Sequence, residues 1–149
     1  MQTTPYINFQ GNCREAMEFY RDLLRGEIKE IFTYGESPMA GDMPASSHDG
    51  IMHSHLVADG AELMAADGPP SEGNGPNNVQ IALSIDDLDA AKRIFNGLSE
   101  GGEVKMEFQQ TFWVEGFGMC VDRFGVGWLI NGGQPAELPA GAEAGQATS

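Results

Sequence analysis

One pattern of residues occurs twice in this chain of 149 residues, and a duplicated unit restricts the folds that the chain can adopt. Residues 12–23 align with residues 87–98, an offset of 75 positions (87 − 12). In this alignment Tyr20 falls on Phe95. A strand-like run precedes each copy, and further strand-like runs follow it. Two similar halves can enclose a shared cavity, so the repeat directs attention to the side chains that face it.

Hydrophobic periodicity predicts the elements of the first half. A helix is expected from about Cys13 to Leu24, with Asn12 as its N-cap, because apolar residues recur there at the spacing of a buried stripe. The Asp59-Gly60 turn predicts a hairpin, and residues 35–50 predict a long loop, either a lid or an inert connection. Strands are expected over residues 6–9, 28–34, 51–57 and 61–66.

The second half repeats this order of elements. A helix capped by Asp86 or Asp87 is expected to reach about Leu98. Gly125 lies 65 positions after Gly60 (125 − 60), so the hairpins of the two halves match as the helices do. Strands are expected over residues 79–85, 103–108, 117–121 and 126–130.

These elements predict an α+β fold of two βαβββ modules within a single domain that covers residues 1–131. The modules span about residues 5–67 and 79–131, and a linker rich in Gly and Pro joins them. Residues 132–149 have too little apolar surface to offset the cost of ordering, so a disordered tail is expected.

The charge and the cysteines argue against several classes of function. Lys and Arg number 8 against 22 Asp and Glu, a formal charge of −14 that would repel nucleic acid and anionic membranes. No apolar run approaches the ~20 residues of a membrane span, and no signal peptide is evident, so a cytoplasmic location is expected. Cys13 and Cys120 are expected to be buried apolar residues rather than a disulfide or a nucleophile.

Several motifs resemble a known family. Together with residues 12–20, the segments 111–113 (Thr-Phe-Trp), 117–119 (Phe-Gly-Met) and 122–128 (Asp-Arg-Phe-Gly-Val-Gly-Trp) resemble the PhnB-like branch of the vicinal oxygen chelate superfamily. That superfamily also contains glyoxalase I, the bleomycin-resistance proteins and the extradiol dioxygenases. The resemblance covers about residues 5–131. It implies two modules with curved mixed sheets, a cup between them that holds a small organic molecule, and a homodimer.

The resemblance also implies where a metal would be held. Carried over residue by residue, the four ligand positions of the superfamily's enzymes fall on Pro5, Met64, Gln80 and Leu129. Only Gln80 offers an oxygen ligand, and one such ligand does not hold a divalent ion against water. No cofactor is therefore expected, with a divalent metal as the alternative.

The candidate site residues follow from these positions and from the aromatic residues near the end of the domain. Trp113 is interpreted either as core or as the lip of the cup, and Trp128 as core. Glu62 is expected on the opposite face of its strand from Met64, in solvent. The ligand-pocket candidates are Met64, Gln80, Trp113, Phe117 and Leu129.

Two hypotheses of function follow. In the first, the protein binds a small organic molecule in the cup without a standard metal site. In the second, it is a metal-dependent lyase, isomerase or dioxygenase that uses His53, His55 and Gln80, since residues two apart on a strand share a face. A half-exposed strand face is the simpler interpretation of the histidines. A methyltransferase is disfavoured, because the chain has no glycine-rich loop of the Rossmann type.

Overall fold

A computed structural model describes residues 1–38, 40–68 and 79–135 of the chain. The chain divides into two compact units, Met1–Pro76 and Asn77–Ser149. Most of the predicted linker and residues 136–149 of the predicted tail lie outside the described residues. Among the helices that are described, none is long and apolar enough to cross a membrane.

The first unit is one helix and a four-stranded mixed sheet. In the sheet, the strands lie in the order β1-β4-β3-β2, with β1 parallel to β4 and the other pairs antiparallel. Between β2 and β3, three short 3-10 turns occupy part of the predicted long loop. The elements are β1 (Tyr6–Phe9), α1 (Cys13–Leu24), β2 (Glu27–Thr33), β3 (Ile51–Ala58) and β4 (Ala61–Asp67).

The second unit has the same topology, so the prediction of two βαβββ modules is confirmed. Its sheet order, β5-β8-β7-β6, again has one parallel pair, between the first strand and the last. The last strand continues to Pro135, five residues beyond its predicted end at Ile130 and into the predicted tail. The elements are β5 (Ile81–Ile85), α2 (Leu88–Ser99), β6 (Glu103–Gln109), β7 (Val114–Val121) and β8 (Gly127–Pro135).

Helix α1 packs on one face of the first sheet through the stripe that its periodicity predicts. Its buried residues are Cys13, Ala16, Met17 and Tyr20. The Cys13 Sγ lies 3.6 Å from the Ser54 Oγ, which places Ser54 on the helix side of β3. Burial raises the pKa of the Cys13 thiol to about 11. A thiol with a raised pKa is mostly protonated at neutral pH, in agreement with a packing role rather than a nucleophilic one.

The start of α1 differs from the prediction. The Asn12 side chain makes no capping hydrogen bond. Instead, the buried Asp67 carboxylate at the end of β4 accepts hydrogen bonds from the backbone N–H groups of Gly11 (2.8 Å), Cys13 (3.0 Å) and Ile51 (2.8 Å). A carboxylate from a distant strand therefore accepts the N–H hydrogen bonds at the start of the helix that the sequence predicts for the Asn12 side chain. At α2 the local prediction holds, because the Asp87 carboxylate accepts from the Ala90 N–H at 3.0 Å.

In the second unit, helix α2 lies close to a sheet face that contains glycines. A Cβ added at Gly132 would lie 2.4 Å from the Ala91 Cβ, and one at Gly118 would lie 2.6 Å from the Phe95 ring. Only the absence of a side chain permits this approach. Trp128 is fully buried on the same side and its Nε1–H donates to the Asp122 carboxylate at 2.8 Å, which confirms it as a core residue.

Candidate functional site

Each sheet packs one face on the α-helix of its own unit. Among the described residues, the opposite face has no α-helix from that unit, and we call it the helix-free face. In the first unit, four residues that are register partners across all four strands form a row on the helix-free face. This row is Tyr6, Met64, His55 and Glu30. Directly opposite residues of neighbouring strands project to the same side of a sheet, so these side chains are neighbours.

His55 forms a short contact with a carboxylate on this face. Its Nε2 lies 2.9 Å from a Glu62 oxygen, and the other Glu62 oxygen accepts from the Gln2 side-chain amide. Glu62 therefore shares the face of Met64, and the expectation that it points to the opposite face is wrong. Residues two apart on a strand point the same way, and the strand from Ala61 to Asp67 has no irregularity that would change this.

His53 lies on the same face and has partners on two strands. Its Nδ1 is 3.2 Å from the Tyr6 hydroxyl, and its Nε2 is 3.6 Å from a Glu30 oxygen. The Tyr6 and His53 rings are stacked, with centroids 5.9 Å apart. Burial raises the pKa of the Tyr6 phenol, so this hydroxyl remains a hydrogen-bond donor at neutral pH.

The equivalent row of the second unit is apolar. It consists of Ala82, Leu129, Met119 and Met106, again register partners across the four strands. Beside Met119 on β7 lies Phe117, whose register partners are Asn131 and Gln109. Two predicted ligand-pocket residues, Leu129 and Phe117, are thus brought to one face.

An aromatic cluster lies at the start of β7. The Trp113 ring meets the Phe117 ring edge-on with centroids 5.2 Å apart, and the Phe112 ring meets Trp113 at 4.8 Å. Phe112 is 70% exposed, while Phe117 is buried and Trp113 is partly exposed. Trp113 is therefore not part of the buried core. Together with Phe112 it forms an aromatic rim next to the helix-free face of the second unit.

Gln80 lies just before β5, which begins at Ile81 rather than at the predicted Val79. It is exposed, and a Cβ added at Gly127 would lie 3.3 Å from the Gln80 Cγ, which places Gln80 on the helix-free side. The metal positions implied by the resemblance do not fit a divalent ion, because Pro5, Met64 and Leu129 have no nitrogen or oxygen in their side chains. Within the described residues, no group of three or more His, Cys, Asp or Glu could hold a metal.

A cleft of about 590 Å³ opens elsewhere in the first unit, at the start of α1 and along the loop after β2. None of the predicted site residues lines it. Its one buried charge is the Asp67 carboxylate, and three backbone N–H groups already occupy that carboxylate. The cleft residues are Gly11, Tyr34, Met43, Ser46, Ser47, Asp49, Gly50, Asp67 and Gly68. The predicted site residues therefore lie outside this cleft.

The structure adds residues that the sequence reasoning missed. Glu30 and Tyr6 contact His53, and Met106 and Met119 complete the apolar row, but none of these four was a candidate. A β-bulge between Ile28 and Glu30 changes which residues of β2 share a face, and alternation alone does not reveal it. A cavity shared by the two halves stays a prediction.

Comparisons with known proteins show similarity along both units. A family model described as 3-demethylubiquinone-9 3-methyltransferase matches residues 1–131. Protein YjdN from Escherichia coli (strain K12) is 31% identical over 139 residues, which cover 88% of this chain and 95% of that protein. The crystal structure of protein PA1353 from Pseudomonas aeruginosa is 42% identical, with a TM-score of 0.79, over 90% of this chain and 98% of that one. A PhnB protein structure from Bacillus cereus shares the fold at 22% identity and a TM-score of 0.73, over 89% and 99%.

Proposed function

This chain belongs to the PhnB-like branch of the vicinal oxygen chelate superfamily, and on that premise we propose that it binds a small organic molecule without a standard metal site. One observation carries the proposal: the two units share a topology, yet equivalent rows on their helix-free faces differ in chemistry. The row in the first unit contains Tyr6, His55 and Glu30, and the row in the second contains only apolar side chains.

Comparison with the core shows why the difference between the two rows suggests ligand binding. Both units pack apolar side chains between helix and sheet, as any such fold requires. Side chains on the helix-free faces do not pack on the helix of their own unit, so that packing does not require them to be apolar. Polar contacts and apolar contacts both occur in small-molecule sites. The row of the first unit offers the polar kind and the row of the second unit offers the apolar kind.

The apolar row supplies the surface that would contact the body of the ligand. Met106 is 42% exposed, and its neighbours Met119 and Leu129 are partly exposed. Methionine side chains adapt to varied apolar shapes, which suits an organic ligand. Removing apolar surface from water favours binding by about 25 cal/mol per Å² before the entropic costs of association are subtracted. The aromatic rim at Trp113 extends this surface.

Methyl transfer is not part of the proposal, although the description of the family model names it. Rossmann-type enzymes bind their cofactor at a glycine-rich turn in a doubly wound parallel sheet. In the described residues each sheet has one parallel pair, and the turn before α1 holds one glycine, Gly11.

A pair of variants on β6 tests the proposal. Met106 faces the helix-free side, while Val104, which is 38% exposed, is the register partner of Cys120 on the helix side. The wild-type protein is screened against aromatic and apolar compounds by thermal shift, and hits are titrated by calorimetry. Met106→Gln should weaken binding about fivefold to tenfold, since it removes apolar contact area from the site. Val104→Gln makes a similar change on the opposite face and should leave the affinity unaltered.

Two results would contradict the proposal. One is a broad screen in which no compound raises the melting temperature. The other is a bound compound whose affinity falls equally in both variants, since equal losses report a general effect on the strand rather than a contact on one face.

The alternative, a metal-dependent lyase, isomerase or dioxygenase, has one supporting observation: His53 and His55 do lie on one face. Their Nε2 atoms face Glu30 and Glu62. Elemental analysis of protein purified without a chelator tests this alternative. The alternative is supported if the wild-type protein contains stoichiometric metal and a His53→Gln, His55→Gln double variant loses it. Metal-free wild-type protein would contradict the alternative.

A further inference from the structure

Among the residues that the structure describes, one imidazole nitrogen on the helix-free face of the first unit makes neither a hydrogen bond nor an ion pair. His55 Nε2 contacts the Glu62 carboxylate at 2.9 Å, whereas His55 Nδ1 has no hydrogen-bond partner among residues 1–38, 40–68 and 79–135. Both nitrogens of the neighbouring His53 face other groups, the Tyr6 hydroxyl and Glu30. The two histidines therefore have different capacities for binding.

Glu62 determines which nitrogen of His55 carries the hydrogen. An ionised carboxylate only accepts hydrogen bonds, so the His55 Nε2 must be the donor. In the neutral ring the Nδ1 is then an acceptor. The Gln2 amide contacts the second Glu62 oxygen and helps to hold this carboxylate in place. The His55 side chain is 19% exposed, so its Nδ1 lies on a partly sheltered face.

Beside this acceptor runs a strip of aromatic side chains. The Tyr6 and His53 rings stack at 5.9 Å, and Phe32 is the register partner of His53 on β2. Tyr6 is 49% exposed and Phe32 is 44% exposed, so flat surface is available next to the acceptor. Alternate residues of a strand lie about 6.6 Å apart, which is the span of a small fused-ring molecule.

From these contacts we infer that the helix-free face of the first unit binds a flat aromatic alcohol, whose hydroxyl donates a hydrogen bond to the His55 Nδ1 while its rings lie on Tyr6, His53 and Phe32. This inference rests on the proposed function, because it names the chemical class of small organic molecule that the face of the first unit would bind. It concerns different residues, however, and different variants test it.

A matched pair of ligands isolates the hydrogen bond. β-Naphthol carries the hydroxyl donor, and its methyl ether has the same rings without a donor. Wild-type protein should bind the alcohol about tenfold more tightly than the ether, which is the net contribution of one hydrogen bond. In His55→Phe, which keeps an aromatic ring but has no acceptor, this preference should disappear.

His48→Phe is the matched control. His48 lies in the loop after β2, where its Nε2 contacts the Ala40 carbonyl oxygen at 2.8 Å, and it is not one of the rings that form the strip. This variant should retain the preference for the alcohol. Circular dichroism and thermal unfolding confirm that each variant is folded before its affinities are compared.

Nitrogen chemical shifts of the histidine rings in the ligand-free wild-type protein provide a second measurement, which needs no variant. The inference requires the Nε2–H tautomer for His55. Finding the Nδ1–H tautomer, or equal affinity for alcohol and ether in the wild type, would overturn it. Failure of β-naphthol to bind would overturn it as well. That result is expected if a second copy of the chain covers this face. In either case, compounds found in the thermal-shift screen would still support the proposed function.

Discussion

At the scale of single residues, Asp67 links three segments of the first unit. Its carboxylate accepts three backbone N–H groups from the turn before α1, from the start of that helix and from the start of β3. The sequence did not predict this role. Cap rules consider residues next to a helix, and here the acceptor is 54 positions away from Cys13.

Asp67→Asn should therefore destabilise the protein by roughly 2–3 kcal/mol, because the amide offers one acceptor oxygen and turns an N–H group toward backbone donors. Urea denaturation measures the change. Asp22→Asn is the control, since that side chain is 71% exposed and, within the described part of the chain, pairs only with its neighbour Arg21. It should leave the midpoint unaltered, and an equal loss in both variants would contradict the role assigned to Asp67.

At the scale of elements, most of the architecture could be predicted from the sequence. The predicted and observed bounds of α1 coincide, and the offset of the repeat places the second helix and the second hairpin correctly. What could not be predicted depends on pairing between strands. The register shift between Ile28 and Glu30 and the contact between Glu62 and His55 depend on how strands pair, which periodicity within one strand does not contain. The face of Glu62 itself follows from its alternation with Met64 and could have been predicted.

The close packing of α2 on β8 gives a prediction at this scale. In Gly132→Ala the new methyl would lie 2.4 Å from the Ala91 Cβ, so helix and strand must separate, at a cost of about 1–3 kcal/mol. Gly127→Ala on the same strand and opposite face meets only the exposed Gln80 side chain, at 3.3 Å, and should change stability by less than about 0.5 kcal/mol. Denaturant unfolding of both variants checks this difference, and equal stability would show that the sheet accommodates the methyl group.

At the scale of the whole molecule, the formal charge of −14 governs association. The family resemblance predicts a homodimer, and two copies with this charge repel each other. Salt screens that repulsion, so the dimer should become more populated as sodium chloride is added. Light scattering coupled to size exclusion should give a mass of twice 16.0 kDa, with the dimer persisting to lower protein concentration at high salt. A monomer at every concentration and salt level would refute this prediction.

The alternation of side chains along the strands has a consequence for how such a protein can change over time. On β3, Ser54 and Leu56 contribute to the interior, while His53 and His55 lie on the other side. If the proposed function holds, stability and ligand binding use different residues of the same strand. Substitutions on the helix-free face of one unit can then change the proposed specificity while the core of that unit and the whole of the other unit keep their sequence.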